Sequence, residues 1–460
     1  MNKPFFAGKN VLVVGLQRSG IGVSKLLLRY GCSVIGTDLK KRDELDPELS
    51  SLERSGAAII CGRPDFHIPR DIEFIVASPG VPLYSPILME AEKAGKEILG
   101  ELEIAFSVLR CPAVCVTGTN GKSTCVSLVG EIFSRAKRKT VVAGNVGLAF
   151  SGIADSLEPD GIAVIEVSSF QLETMKFMKP RVGVLLNVTP DHLDRHKSFE
   201  EYLRLKMRLF ENQTQEDFAV INRDDETQRT PSRSLRSRVL YFGMNKAGEE
   251  GAFVEAGNLK VNFDGETKTV IPVDKIAIRG PHNLSNAMAA VCAAAAMGVS
   301  LDSIESALAG FEGLPHRLQN VGSLEGVSFV NDSKATNIDA MKQALLSFKT
   351  PLVLIAGGRD KDGNFAEVSG LVEKNVRHVV LMGEASQKIR SSWPGVRSTQ
   401  ANSMNEAVEV AFELAQKGDV VILSPGCASY DMFKNFEDRG AKFAQAFLSL
   451  KEKIMAEKKE

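Results

Sequence analysis

Short apolar runs rich in β-branched residues alternate along the whole chain with longer stretches whose apolar positions recur at helical spacing. That alternation predicts an α/β protein layered around mainly parallel sheets. The first block opens with Asn10-Val11-Leu12-Val13-Val14-Gly15, a strand entering a glycine turn, and continues with strands over 32–37 and 73–77. A second series is expected at 114–117, 140–143, 162–167, 182–187 and 218–222. The polar, turn-rich stretch 223–268 reads as surface excursions with short antiparallel strands. A last series falls at 327–331, 352–356, 378–382 and 420–424, with helices between. Boundaries near Glu101 and Leu314-Pro315 give three expected domains, 1–101, 102–314 and 315–460.

At 460 residues the chain has room for three such cores. A formal net charge of −1 gives no bulk basic field, so neither nucleic acid nor an anionic membrane is an expected partner. The Lys-rich end, 451–459, reads as a solvated terminal helix. Seven scattered cysteines without a C-x-x-C pair fit a reducing compartment. The N-terminal residues lack a signal-peptide core, and the longest uncharged apolar stretch, 287–299, is too short to span a bilayer. A cytoplasmic monomer is expected.

The run Val114-Cys115-Val116-Thr117 breaks into Gly118-Thr119-Asn120-Gly121-Lys122-Ser123-Thr124. Two glycines let successive backbone N–H groups point at one anion, and a helix beginning near Lys122 aims its positive end at the same place. Lys122 adds a charge for the outer phosphates, and Ser123 offers a hydroxyl to a phosphate-bound Mg²⁺. The alternative is a glycine turn with a surface lysine. The strand-to-helix setting favours ATP, which makes this the P-loop-type central domain.

Other positions carry chemistry with plainer alternatives. Gly15-Leu16-Gln17-Arg18-Ser19-Gly20, with Asp38 about twenty residues on, has the layout of a dinucleotide turn and makes the first block Rossmann-like. Gln17 stands where a second glycine would admit a pyrophosphate, so a redox cofactor is disfavoured, leaving another nucleotide or no ligand. Glu166 ends an apolar strand, either as an exposed strand end or as a Mg²⁺ ligand. His192 follows another strand in Thr189-Pro190-Asp191-His192, either as a structural histidine or as a ligand at the strand ends where ligands collect in parallel sheets. Helical spacing puts Lys206 on the apolar face of Phe199, Tyr202, Leu203, Leu209 and Phe210, so it must snorkel, pair or lose its charge. A neutral amine there could take up CO₂ as a metal-binding carbamate. Asn283 and Asn286 share a helix face and either read an adenine edge or cap the helix.

The loop T-G-T-N-G-K-S-T is two residues shorter between its glycines than the general P-loop and resembles that of the Mur ligase and folylpolyglutamate synthase superfamily. Asn331-Asp332-Ser333-Lys334-Ala335-Thr336-Asn337 and the run from Leu423 to Gly440 resemble the D-glutamate-adding members of the Mur ligase family. The resemblance covers nearly the whole chain and departs from the pattern at Gln17, Gly426 and Tyr430. It implies a Rossmann-like C-terminal domain, ATP, Mg²⁺ (two ions), and a carbamylated Lys206. It implies the substrates UDP-N-acetylmuramoyl-L-alanine and D-glutamate, joined through an acyl phosphate. By the same resemblance, Arg18, Ser19, Asp38, Ser78, Pro79, Gly80 and Asn145 hold the nucleotide substrate. Lys334, Thr336, Lys361, Ser429 and Phe436 hold D-glutamate. Ser123, Glu166, His192 and Lys206 hold metal, while His316, Arg317 and Asp332 approach the phosphates when the last domain closes. A folate-type ligase, a non-ligase NTPase and a redox enzyme are the competing readings.

If the loop assignment is right, Lys122→Ala nearly abolishes phosphate release from ATP. Full activity in that variant removes the assignment.

Overall fold

The computed structural model describes residues 3–145, 148–191, 193–245, 248–360 and 363–457. Three sheets organise them, as the alternating pattern predicts. The first contains β1 (Asn10–Val14), β2 (Ser33–Asp38), β3 (Ala58–Cys61), β4 (Phe74–Ala77) and β5 (Glu97–Gly100) in the order β3-β2-β1-β4-β5. All its pairings are parallel. Strand order reverses between β1 and β4, so the loops after those two strands flank the crevice where such sheets bind ligands.

The second sheet comprises β6 (Ala113–Thr117), β7 (Thr140–Gly144), β8 (Ile162–Glu166), β9 (Val182–Leu185), β10 (Phe218–Asn222), β11 (Arg238–Gly243), β12 (Gly251–Glu255), β13 (Asn258–Phe263) and β14 (Glu266–Pro272). Its order is β14-β13-β12-β11-β10-β9-β6-β8-β7, which places β6 between β8 and β9. Val114, Cys115 and Val116 are fully buried, as expected for a strand covered on both faces. The third sheet comprises β15 (Gln319–Leu324), β16 (Val327–Asn331), β17 (Leu352–Gly357), β18 (Val376–Met382), β19 (Ser398–Gln400) and β20 (Val420–Leu423). Its order is β15-β16-β20-β17-β18-β19, and only the β15–β16 pair is antiparallel.

The first two sheets lie in one compact unit, Met1–Lys275 with Ser285–Ala309, and the third lies in a second unit, Ile276–Leu284 with Gly310–Glu460. Within the first unit a short helix, Glu101–Phe106, connects β5 to β6. Its Glu103 is 1% exposed, and its carboxylate accepts the backbone N–H groups of Lys176, Phe177 and Met178 at 3.0–3.1 Å. Three donors on one carboxylate tie this connector firmly to the second sheet's layer.

The stretch 223–268 differs from expectation. It contains a helix, Glu226–Ser232, and β11 and β12 extend the main sheet in parallel before β13 and β14 turn antiparallel. Leu240, Phe242 and Phe253 are buried, a sparse alternation masked by the polar residues around it. The terminal helix runs Phe436–Glu457. Among the described residues, no helix is long and apolar enough to cross a membrane.

Gly144, at the end of β7, has φ +119°, and a Cβ there would sit 2.3 Å from the Glu166 carbonyl oxygen. Gly144→Ala is expected to lower stability by about 1–3 kcal/mol, read as a shift in the urea midpoint. Gly370→Ala, where a Cβ meets nothing within 4 Å, is expected to be neutral or stabilising by up to about 1 kcal/mol.

Candidate active site

At the end of β6 the backbone leaves the strand at Gly118 (φ +151°) and enters the helix Lys122–Arg135 through Gly121 (φ +87°). Side chains are excluded at both glycines. A Cβ on Gly118 would press on Leu186 and the Asn187 backbone, and one on Gly121 would meet Asn286 Oδ1 at 2.4 Å. The loop is pinned to the segment after β9. Thr119 N–H donates to Asn187 O (2.9 Å), Asn120 N–H to Asn187 Oδ1 (2.8 Å), and Asn187 Nδ2 back to Asn120 O (2.9 Å). Thr189 N–H donates to Thr119 Oγ1 at 3.0 Å. Lys122 Nζ turns onto the loop's own carbonyls, Gly118 O at 2.9 Å and Thr119 O at 2.8 Å. Ser123 and Thr124 are buried in the first turn of the helix.

Lys206 comes to the same loop from the helix Phe199–Met207. It is 1% exposed, and Nζ donates to Gly118 O at 2.9 Å. Desolvation, and then the nearby Lys122 charge, hold its ammonium pKa well below the ordinary lysine value, with the Asp191 carboxylate opposing. The snorkelling alternative fails, because the amine is inside. The apolar face is largely as expected, with Tyr202, Leu209 and Phe210 buried, and Leu205 is buried as well. Lys206 Nζ lies 4.3 Å from the Tyr202 ring centroid, and His196 stacks on that ring at 5.2 Å. Phe170 follows His196 at 5.3 Å, and the Arg195 guanidinium covers Phe170 at 4.2 Å. Arg195 also forms an ion pair with Glu173 and donates to Val81 O, in the loop after β4.

Glu166 ends β8 in register with Val116 of β6, two residues before Gly118. It is 3% exposed, against the strand-end alternative, and Oε1 accepts from Asn145 Nδ2 at 3.0 Å. Arg18 of the first block donates to the Asn145 carbonyl at 2.7 Å. The remaining first-block candidates gather at the β1–β4 crevice. Asp38 Oδ2 accepts Leu16 N–H at 2.7 Å, and Ser78 Oγ donates to Gly15 O at 2.6 Å. Ser19 lies on the first turn of the helix Arg18–Arg29, while Pro79 and Gly80 follow Ser78 in the loop after β4. Asp38 and Ser78 therefore shape the turn after β1.

Among the described residues no three His, Cys, Asp or Glu side chains cluster as a metal site. His192 and Lys361 lie outside the described residues. A buried carboxylate and a first-turn hydroxyl at one sheet edge are nonetheless the hard oxygen donors Mg²⁺ takes.

Asn286 reaches Gly121, as the collision of a Cβ there shows, whereas Asn283 Nδ2 donates to Arg279 O at 2.8 Å. The two amides, expected to act as a pair, thus have different surroundings. In the last block, Asp332 is buried, accepting from Ser424 Oγ at 2.9 Å and from Leu318 N–H at 3.2 Å. Arg317 and Arg439 oppose the burial that pushes its carboxyl up to about 7. His316 (φ +63°) packs its ring beside Asn331 Nδ2 at 3.1 Å. Lys334 Nζ lies 3.5 Å over the Phe436 ring, and Ser429 is buried near the end of β20. Thr336 follows in the turn after β16, its N–H donating to Lys334 O at 2.8 Å.

Several organising residues carried no assigned role at the sequence level. Arg439 is 2% exposed and donates to Ser333 O, Cys427 O and Ala428 O, joining the two family-like motifs of the last block. Asn187 and Tyr202 brace the phosphate loop. An arginine inside a family-like motif was the available signal for Arg439; Asn187 had only its place at a strand end.

Three family descriptions match the chain: Mur ligase MurD-like, N-terminal domain, over residues 9–100; Mur ligase middle domain, over 116–294; and Mur ligase, glutamate ligase domain, over 316–427. The UDP-N-acetylmuramoylalanine–D-glutamate ligase of Caldanaerobacter subterraneus is 43% identical over 96% of this chain and 99% of its own. That of Pelotomaculum thermopropionicum is 42% identical over 97% and 99%. Among solved structures, the UDP-N-acetylmuramate–alanine ligase of Thermotoga maritima superposes with TM-score 0.60 at 19% identity, over 96% of this chain and 100% of that one. The MurF ligase of the same organism, in complex with ADP, gives 0.61 at 18%, over 92% and 95%. These share the three-domain α/β fold.

The Asp332 carboxyl generates a pH prediction. Folded, it keeps its proton up to about 7, whereas the unfolded side chain releases it near 3.8. The folded state therefore binds the extra proton between those values, and this group's contribution to stability falls as pH rises through the window. Asp332→Asn is expected to flatten that slope, seen by comparing urea midpoints of the two proteins at intervals across it. An unchanged slope would contradict the assignment.

Proposed function

The chain belongs to the Mur ligase family, and we propose that it acts there as an ATP-dependent UDP-N-acetylmuramoylalanine–D-glutamate ligase that builds a peptidoglycan precursor. The observation that carries the ligase reading is the buried Lys206 amine on the Gly118 carbonyl, at the back of the loop that bears Lys122. An ATP cradle alone does not need a second, buried amine there, where desolvation disfavours the charge. The D-glutamate assignment rests on relatives of 42–43% identity that carry this name. The Lys334 ammonium, held over the Phe436 ring, supports it, since a cation suits a dianionic amino acid.

In the proposed division of labour, residues 1–101 hold the uridine nucleotide, 102–314 hold ATP, and 315–460 hold D-glutamate. The terminal alanine carboxylate attacks the γ-phosphorus of ATP, ADP departs, and an acyl phosphate remains. Lys122 and the loop N–H groups neutralise the charge that develops. The D-glutamate amine then attacks the acyl carbon, loses a proton, and the tetrahedral adduct expels phosphate with one former carboxylate oxygen. In this proposal Asn286, which packs against Gly121, reads the adenine together with Asn283 of the same helix, and Arg317 and Asp332 serve the phosphates. Mg²⁺, as two ions, would be held by Ser123, Glu166, His192 and a carbamylated Lys206 and would neutralise phosphoryl oxygens. The carbamate forms when neutral Nζ adds to the carbon of CO₂ and gives up a proton, which is the reaction a buried, uncharged amine favours. A cytoplasmic monomer completes the proposal; the scattered free cysteines fit a reducing compartment.

Phosphate release in the presence of ATP, Mg²⁺ and UDP-N-acetylmuramoyl-L-alanine tests this directly. Turnover is expected with D-glutamate and not with L-glutamate, glycine or no amino acid. Turnover independent of the amino acid would mean an NTPase. Lys206→Ala is expected to be inactive and partly restored by a short carboxylic acid. An uncharged replacement that works as well as lysine would remove the metal-ligand role.

A further inference from the structure

Glu101, Gln171 and Ser168 form a buried line of hydrogen bonds that the reaction scheme above leaves unused. Glu101 is the first residue of the helix Glu101–Phe106, directly after β5, and is 2% exposed. Its Oε1 accepts from Gln171 Nε2 at 2.8 Å. Gln171 Oε1 in turn accepts from the backbone N–H of Ser168 at 2.8 Å and from its hydroxyl at 3.0 Å. Ser168 caps the helix Ser169–Leu172 and stands two positions beyond Glu166. The other carboxyl oxygen of Glu101 lies beside Ser151 Oγ, in a cluster that the Arg18 charge also faces.

The line has a direction imposed by chemistry. A primary amide has donors at one end and an acceptor at the other, so the Glu101 oxygen dictates that Gln171 turns Nε2 toward it. The amide oxygen is thereby committed to Ser168. Without an acceptor at position 101 the amide can turn over, which would set its NH₂ against the Ser168 N–H and loosen the turn. Burying a carboxyl here costs more than burying a leucine, so packing alone does not account for it. Burial pushes the Glu101 carboxyl up to about 7, against the Gln171 and Ser151 side chains, whose donors favour its charged form. A parallel route reaches the same strand end through Arg18, Asn145 and Glu166.

We propose that Glu101 is a positioning residue for the ligase reaction: it orients the Gln171 amide, which fixes the Ser168 turn and so holds Glu166 at the edge of the phosphate loop. The proposal rests on the reading of Glu166 as part of the active site. It assigns to the connector between the first and second sheets a task beyond joining them.

The test begins with D-glutamate-dependent turnover of the wild-type protein; its absence would overturn the functional reading and, with it, the role of Glu101. With that turnover present, Glu101→Leu and Gln171→Leu are each expected to lower kcat on the order of 10- to 100-fold while leaving KM for ATP within about 2-fold. The double variant should be no worse than either single, because both break one line. Glu101→Gln, whose amide can accept from Gln171 and donate to Ser151, should recover kcat to within about 3-fold of wild type. Should Glu101→Leu not fold, Gln171→Leu and Glu101→Gln carry the same comparison. Normal kcat in Gln171→Leu, additive losses in the double variant, or no recovery with glutamine would overturn the proposal.

Discussion

Two lysine amines, Lys122 and Lys206, donate to the single carbonyl of Gly118, each at 2.9 Å. Two ammonium groups that close, one of them out of reach of water, cannot both keep their charge at ordinary cost. Lys122 is only half-buried, whereas the fully buried Lys206 is driven toward the neutral amine. Much of the surrounding architecture serves this arrangement. Gly118 must adopt positive φ to present its carbonyl, Asn187 and Thr119 lock the turn, and the Tyr202–His196–Phe170–Arg195 column packs against the buried amine from the other side.

The same constraint explains why functional groups collect where they do. In each parallel sheet the strands end at one edge, and the loops after neighbouring strands converge there. In the first sheet, the loops after β1 and β4 bind each other through Ser78 and Gly15. In the second, β6 lies between β8 and β9, so Glu166 and Asn187 border the phosphate loop from opposite sides. In the third, β20 lies between β16 and β17, and Arg439 holds the β16 and β20 loops together from beneath. Binding and catalysis are thereby concentrated in loops, while their backbones are fixed by buried polar contacts.

The local geometry that lives in contiguous residues was legible in the sequence. The phosphate loop needs only a strand, two glycines and a helix start, all within one short stretch. Lys206 stood out because a charge broke an apolar helical stripe. What sequence could not supply were pairings between distant positions. Gln171 meets Glu101 across 70 residues, and Arg439 meets Ser333 across 106. A lone Glu opening a short helix looks the same whether it is solvated or buried, and only the tertiary fold decides. The parallel part of the stretch 223–268 was missed for a related reason: β11 and β12 bury few side chains each, so polar neighbours outweighed their alternation until β11 paired with β10 and β12 with β11.

The central claim is that the alanine carboxylate is activated by direct attack on ATP. It is tested most directly by supplying UDP-N-acetylmuramoyl-L-alanine with heavy oxygen in both carboxylate positions and weighing the released phosphate. The account predicts that each phosphate carries one heavy oxygen and that the amide product keeps the other. Unlabelled phosphate would show that water, not the carboxylate, receives the phosphoryl group, and would contradict the account.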